Sequence, residues 1–326
     1  MVDGPVFIVG MNGSGTTMLA DSLGKHPELY VLPIESKIIP YYLLKYGLDD
    51  IAGGDSEQIT QLASAIGGSK PFWQSNKERD VELSFEELSV CRNLPQIIAA
   101  VYKHLADKQG KRRWGDKSPI NTQYIEVLAK AFPDARFVHI IRDGRDAAQS
   151  FHRRWGYHPI HTIVRWKHLI REGREQGRRL GSERYCEVRY EDLTVKPEEY
   201  MRHICEFLHL SFTSDVLRSS MHYMDRSTVN VSGGRIVVNS EKWRTYFDAN
   251  AVRELESHGG AMMHDLGYAT SINGDRDPSS AMMLYFRWYG HYKFTRSHFR
   301  EYGLRAFPMY LRQLIAAARQ WRTEKR

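Results

Sequence analysis

Cysteine is scarce in this chain: three residues in 326, Cys91, Cys186 and Cys205, lie far apart with no C-x-x-C spacing. That excludes a disulfide framework and a dithiol redox motif, and it fits small buried side chains in a reducing compartment. The 14 histidines are scattered, and no His/Cys cluster has the spacing of a zinc site, so no metal is expected. No run of 18 uncharged apolar residues occurs, which leaves no candidate transmembrane helix. The chain reaches a strand-like stretch, PVFIVG, within four residues, with no basic n-region, long apolar core or cleavage site. A secretory signal is therefore not expected, and the expected location is cytoplasmic. Internal repeats and low-complexity tracts are also missing.

Acidic residues are scarce at one end. From Ser279 to Arg326, ten Lys and Arg stand against Glu301 and Glu324, a net +8; the whole chain is +7, so the body carries −1. The basic balance thus describes what the tail touches, not the active site. With 42% hydrophobic residues, the body can bury the core of one large α/β domain.

What the sequence does carry begins with VGMNGSGTTML, residues 9–19. Residues 5–10 read as a short buried strand, and Met18, Leu19 and Leu23 suit the helix that follows. Strand, glycine loop and helix are the context of a phosphate loop. Gly10 and Gly15 fit G-x-x-x-x-G-K-[ST], but the lysine position is Thr16. Asn12, Gly13, Ser14, Gly15, Thr16 and Thr17 form the candidate cradle. Ser14, Thr16 and Thr17 add hydroxyls to successive backbone amides, and Gly13 and Gly15 let the backbone approach a ligand closely. The absent lysine, and the lack of a Walker B strand ending in a magnesium-binding aspartate, argue against ATP or GTP hydrolysis. They leave open where the loop's positive charge comes from.

Further strands are expected at ELYVLP (28–33), ARFVHIIRDGR and ERYCEVRYEDL. Helices are expected at 35–46, across much of 50–110, and at 121–132, 145–155, 160–178 and 197–208. Strands alternating with helices imply a parallel sheet covered on both faces, a three-layer α/β fold of P-loop type.

Five blocks in order resemble the sulfotransferases that use 3′-phosphoadenosine 5′-phosphosulfate (PAPS), in the tyrosylprotein-like and bacterial branch. GMNGSGTTML resembles that family's 5′-phosphosulfate loop. HPELYVLPIESKIIP resembles the segment carrying a catalytic glutamate, here Glu35. WGDKSP resembles the block with a lysine beside the transferred group, here Lys117. FVHIIRDGRDAAQS resembles the 3′-phosphate block, with Arg142 and Ser150. RYEDLTVKPEEYMRHICEFL is similar to a later block that places Tyr190 in a donor-binding position. The resemblance implies PAPS as co-substrate without a metal. One departure stands out: the family's Lys or Arg just before the Ser-Gly-Thr-Thr run is Gly13 here. Lys117, or Lys37 from ESKIIP, is expected to supply that charge.

Alternatives exist for each residue. Glu35 could be a glutamate at a helix N-terminus, and Lys117 a solvated loop lysine paired with Asp116. Arg142 could pair with Asp143 or Asp146, leaving Arg145 as the next candidate cation. Ser227 and Arg235 fall where the family closes its donor site with a late loop, but a polar hairpin fits them nearly as well. Trp243 reads as core in preference to an adenine stack.

Residues 1–269 are expected to form the sulfotransferase domain, 270–280 (TSINGDRDPSS) a linker, and 281–326 a basic, aromatic helical extension. That extension could rest peripherally on anionic membrane or pack on the body; nucleic acid is not expected. The expected function is sulfuryl transfer to a hydroxyl of a carbohydrate, glycolipid or other small acceptor, with Glu35 as general base. The alternative is a nucleotide-binding adaptor on the same fold, with catalysis impaired at Gly13.

Overall fold

Short apolar runs become strands, and the loops that end them converge. The structure, a computed structural model, describes residues 4–51, 54–69, 81, 83–218, 231–232 and 234–302. The chain divides into two compact units, Met1–Arg142 with His168–Glu241, and Asp143–Lys167 with Lys242–Arg326.

In the first unit, β1 (Val6–Val9), β2 (Leu29–Val31), β3 (Arg113–Lys117), β4 (Arg136–Ile141) and β5 (Tyr185–Arg189) form one parallel sheet in the order β2-β3-β1-β4-β5. Helices in chain order are α1 (Thr16–Leu23), α2 (Ile39–Tyr46), α3 (Ser56–Gly67), α4 (Phe85–Ser89), α5 (Leu94–Lys108) and α6 (Ile125–Ala131). They continue as α7 (Gly144–Trp155), α8 (Pro159–Arg179), α9 (Tyr190–Val195), α10 (Pro197–Phe207), α11 (Trp243–Tyr246), α12 (Ala249–Asp265) and α13 (Ser280–Tyr302). A small antiparallel pair, β6 (Val231–Ser232) and β7 (Arg235–Ile236), lies late in the chain.

The side-chain period of two splits β1 between two cores. Phe7 and Val9 join Tyr102, Trp114 and Phe137 on one face, while Val6 and Ile8 join Met18, Leu19 and Val138 on the other. Phe7 stacks on Phe137 at 5.3 Å, and Tyr102 on Trp114 at 4.5 Å. This is the three-layer architecture expected from the sequence, with a sheet covered by helices on both faces.

Several local expectations change. The strand at 28–33 contracts to Leu29–Val31, and the helix at 35–46 starts only at Ile39. Glu35 therefore lies in the irregular stretch before α2 and is not a helix N-terminal glutamate. The helix at 121–132 resolves into a 3₁₀ turn, Pro119–Gln123, followed by α6. The largest difference is β3. RWGDK has no apolar run, yet it is a fully buried strand beside β1. Its charges are individually satisfied. Arg113 Nε donates to the Gly4 carbonyl at 2.6 Å, and Asp116 accepts from Tyr102 Oη at 2.6 Å and from Asn121 Nδ2 at 2.8 Å.

In the second unit, the stretch expected as a linker has no helix or strand up to residue 279, but it is tied to α12. The Glu256 carboxylate accepts the N–H groups of Ser271 and Ile272 at 2.8 and 3.1 Å, and Ala261 N–H donates to the Gly274 carbonyl at 3.0 Å. Lys167 pairs with Asp275 and Asp277 at 2.8 and 2.9 Å. Among the described residues, no helix is long and apolar enough to cross a membrane.

Candidate active site

Strand order decides where ligands gather. The chain steps from β1 outward to β2, returns to β3 on one side of β1, and then places β4 on the other. Ligands of open α/β sheets bind outside the carboxyl ends at such a switch point. Three ends meet there: the loop after Val9, Lys117 closing β3 and Arg142 just after β4.

Gly10, Gly13 and Gly15 have φ of 145°, 85° and 95°, a region that disfavours side chains. Thr122 Oγ1 accepts the Gly10 N–H at 2.8 Å, and Ser14 N–H donates to the Met11 carbonyl at 3.0 Å. Helix α1 starts at Thr16 with no side-chain cap and no acid in its first turn. Its N-terminal amides and dipole therefore suit an anion. Asn12, Gly13, Gly15 and Thr17 are partly accessible, whereas Ser14 and Thr16 are buried. The Ser14 hydroxyl is buried with no hydrogen-bond partner among the described residues.

The positive charge comes from β3. The Lys117 ammonium donates to Thr17 Oγ1 at 3.2 Å and to Glu35 Oε1 at 3.2 Å. It is 2% exposed, so it is not a solvated loop lysine. Asp116 is not its partner, because adjacent strand residues point to opposite faces and Asp116 is held by Tyr102 and Asn121. Burial and the cost of desolvation raise the Asp116 pKa against the hydrogen bonds it accepts.

Glu35 is held from both sides. Its Oε2 pairs with Lys37 Nζ at 3.1 Å. Burial pushes the carboxyl up, but the charges of Lys117 and then Lys37, with their hydrogen bonds, outweigh it and hold it below the usual carboxylate range. Lys37 has a left-handed backbone, φ 58°, and its N–H donates to Ser118 Oγ at 3.1 Å. Ser36 Oγ lies 3.3 Å from the same hydroxyl. The Lys37 side chain is mostly exposed, so of the two candidate lysines Lys117 is the one at the loop.

Arg142 donates to the Gly13 carbonyl at 3.0 Å and the Asn239 carbonyl at 2.6 Å, and its guanidinium lies 4.5 Å from the Tyr190 ring centroid. Tyr190 is fully buried and also packs under the loop: a Cβ on Gly15 would meet its Cδ2 at 2.4 Å. It supports the loop and Arg142 from beneath. Thr122, Ser118 and Asn239 are supporting residues that sequence reasoning did not single out; of these, only Ser118 lies within a quoted block, WGDKSP.

Ser150 is buried on α7 in the second unit. Arg145 is not an available cation, because it pairs with Asp143 and Glu256, each at 2.7 Å and all buried. Asp143 is thus engaged by Arg145, and Asp146 Oδ1 accepts the Trp243 N–H at 3.0 Å. Trp243 is buried under the Arg145 guanidinium at 3.9 Å, a core position. Ser227 lies outside the described residues. Arg235 pairs its backbone with Ser232 in the β6–β7 hairpin. Among the described residues, no group of three or more His, Cys, Asp or Glu is arranged to hold a metal, and the three cysteines are buried and free.

A family sequence model described as "Sulfotransferase family" matches residues 5–214, which contain the loop, Glu35, Lys117, Arg142 and Tyr190. The chain belongs to the sulfotransferase family. It is 26% identical over 288 residues to a protein-tyrosine sulfotransferase of Drosophila melanogaster, covering 82% of this chain and 52% of that protein. The chain also spans only 30% of an uncharacterized Aquifex aeolicus relative, which is 26% identical over 74% of this chain. Among solved structures, the sulfotransferase domain of the Synechococcus PCC 7002 olefin synthase shares the fold. Its TM-score is 0.50 at 23% identity, over 77% of this chain and 93% of the domain.

Proposed function

We propose that this sulfotransferase-family chain is an enzyme that holds PAPS over the loop, transfers its sulfuryl group to an acceptor hydroxyl, and releases 3′,5′-ADP. The observation that carries the reading is one ammonium, Lys117, within 3.2 Å of both a loop hydroxyl and the Glu35 carboxylate. The uncapped helix start, the glycine cradle and the unpartnered Ser14 hydroxyl fit the 5′-phosphosulfate. Arg142 would take the 3′-phosphate, its fork fixed by the Gly13 and Asn239 carbonyls. Arg235, in the β6–β7 hairpin, would add a donor contact.

In the transfer, the acceptor oxygen bonds to sulfur as the bond from sulfur to the phosphate bridge oxygen breaks. Glu35 takes the acceptor proton, and Lys117 stabilises charge on the leaving oxygen. No residue described here favours the expected carbohydrate or glycolipid hydroxyl over other alcohols. A phenolic acceptor is the second reading, and the low basicity of Glu35 favours it, because a weak base is better matched to a phenol than to an aliphatic alcohol. The names of the protein-tyrosine relatives point the same way. Sulfur-labelled PAPS, offered with a tyrosine peptide, a sugar and a glycolipid, tests both. Absence of transfer to every acceptor, together with absence of 3′,5′-ADP binding, removes the reading.

Two further outcomes are expected. Arg142→Ala should weaken 3′,5′-ADP binding by about 1.5–3 kcal/mol, the range for a charge-assisted hydrogen bond, as measured by calorimetry. Unchanged affinity would remove Arg142 from the nucleotide site. Lys37→Met should move the acid limb of the kcat/KM profile to higher pH. The base works ionised, activity is lost as pH falls through its pKa, and one of the two cations that lower that pKa is gone. An unmoved limb would mean that Glu35 does not set it.

A further inference from the structure

Helix α13 has two apolar faces, and among the described residues only one is packed. Phe286 is buried and stacks on the His158 ring at 4.1 Å. A Cβ on Gly290 would meet the Tyr157 ring at 2.4 Å, and one on Gly156 would meet Lys293 Cβ at 2.8 Å. This face packs within the second unit. The opposite face carries Leu284, Tyr285, Trp288 and Tyr292, exposed by 48%, 61%, 61% and 59%. Their spacing of three, four and eight residues from Leu284 or Tyr285 puts them on one stripe. Packing among the described residues of the unit does not account for them.

We propose that this stripe is a docking surface for anionic lipid bilayer. Two observations choose that occupant. The stripe is dominated by Tyr and Trp, whose apolar bodies and polar tips suit the headgroup boundary. The segment carrying it, Ser279–Arg326, holds a net +8 while the rest of the chain holds −1, so the chain's net attraction to an acidic surface is concentrated at this end. A second copy of this chain would bring the same positive charge to the contact. The helix lies along the surface and does not cross it, since it is not apolar enough to span. The inference goes beyond sulfuryl transfer and does not depend on it.

Sedimentation of the full chain with phosphatidylcholine vesicles, with and without phosphatidylglycerol, tests it. The chain should bind the anionic vesicles at least about tenfold more tightly than the neutral ones, and lose most of that binding as salt rises from about 0.05 to about 0.5 M. The variant Tyr285→Ser/Trp288→Ser should bind anionic vesicles at least about tenfold more weakly. Both residues are exposed, so its thermal midpoint should match the wild type; if it does not, the lipid and salt dependence of the unaltered chain still decides. Equal binding to both vesicle types overturns the proposal, and so does full binding by a folded variant. A concentration-dependent dimer in light scattering that the variant abolishes also overturns it, because a second copy would then cover the stripe.

Discussion

Replacing Glu35 with Gln should reduce sulfuryl transfer by about 10²–10⁴-fold, the usual contribution of a positioned general base, while 3′,5′-ADP binds with near wild-type affinity. The two effects should separate because, among the described residues, the carboxylate bonds to Lys117 and Lys37 and not to the loop itself. Glutamine keeps the size and one acceptor oxygen, so the Lys117 contact at 3.2 Å can persist. It cannot accept a proton at neutral pH. Lys117 would also be relieved of a competing anion, so phosphate affinity should hold or rise. Full turnover by the variant would show that another group takes the proton.

Lys117→Met is expected to lower kcat by about 10²–10³-fold, the scale for removing one donor to developing charge, and to weaken 3′,5′-ADP as well. Methionine matches the length and burial of the lysine stem without its charge. The loop has no cation of its own: the family's loop Lys or Arg position is Gly13, whose φ of 85° suits glycine. Charge delivered from β3 would make the site a rewired one and not the remnant of a lost loop side chain, so a large loss in Lys117→Met would count against the adaptor reading. Lys117→Met should also let the Glu35 pKa rise, because the Lys117 charge is the strongest of those that lower it against burial. Because the two side chains act as a unit, the double variant should be little worse than either single one. Strict additivity, or a Lys117→Met enzyme with wild-type kcat, would separate them.

The legible parts of the site were those with a local signature. Glycines followed by Ser-Gly-Thr-Thr between a strand and a helix specified the loop, because φ above zero and bare amides leave few choices of residue. Arg142 was legible because it ends an apolar run. Lys117 and Glu35 were not legible from periodicity; both came from the resemblance of their blocks. RWGDK reads as a loop by hydropathy, and its burial depends on partners distant in sequence: Gly4, Tyr102 and Asn121. Tertiary satisfaction of buried charge leaves no periodic trace. The same holds for Arg145, whose two carboxylates are Asp143 beside it and Glu256 on α12. The polar stretch at 270–280 reads as a linker because its packing on α12 likewise leaves no periodic trace. Glycine at 274 lets backbone lie on α12, where a Cβ would meet the Ser257 carbonyl at 2.4 Å.

A crystal structure with 3′,5′-ADP tests the central claim most directly. The account predicts the 5′-phosphate on the amides of Gly13 to Thr17, the Lys117 ammonium within hydrogen-bond distance of it, and the 3′-phosphate on Arg142. A nucleotide seated away from the loop, or a 5′-phosphate with Lys117 still turned wholly to Glu35, would contradict it.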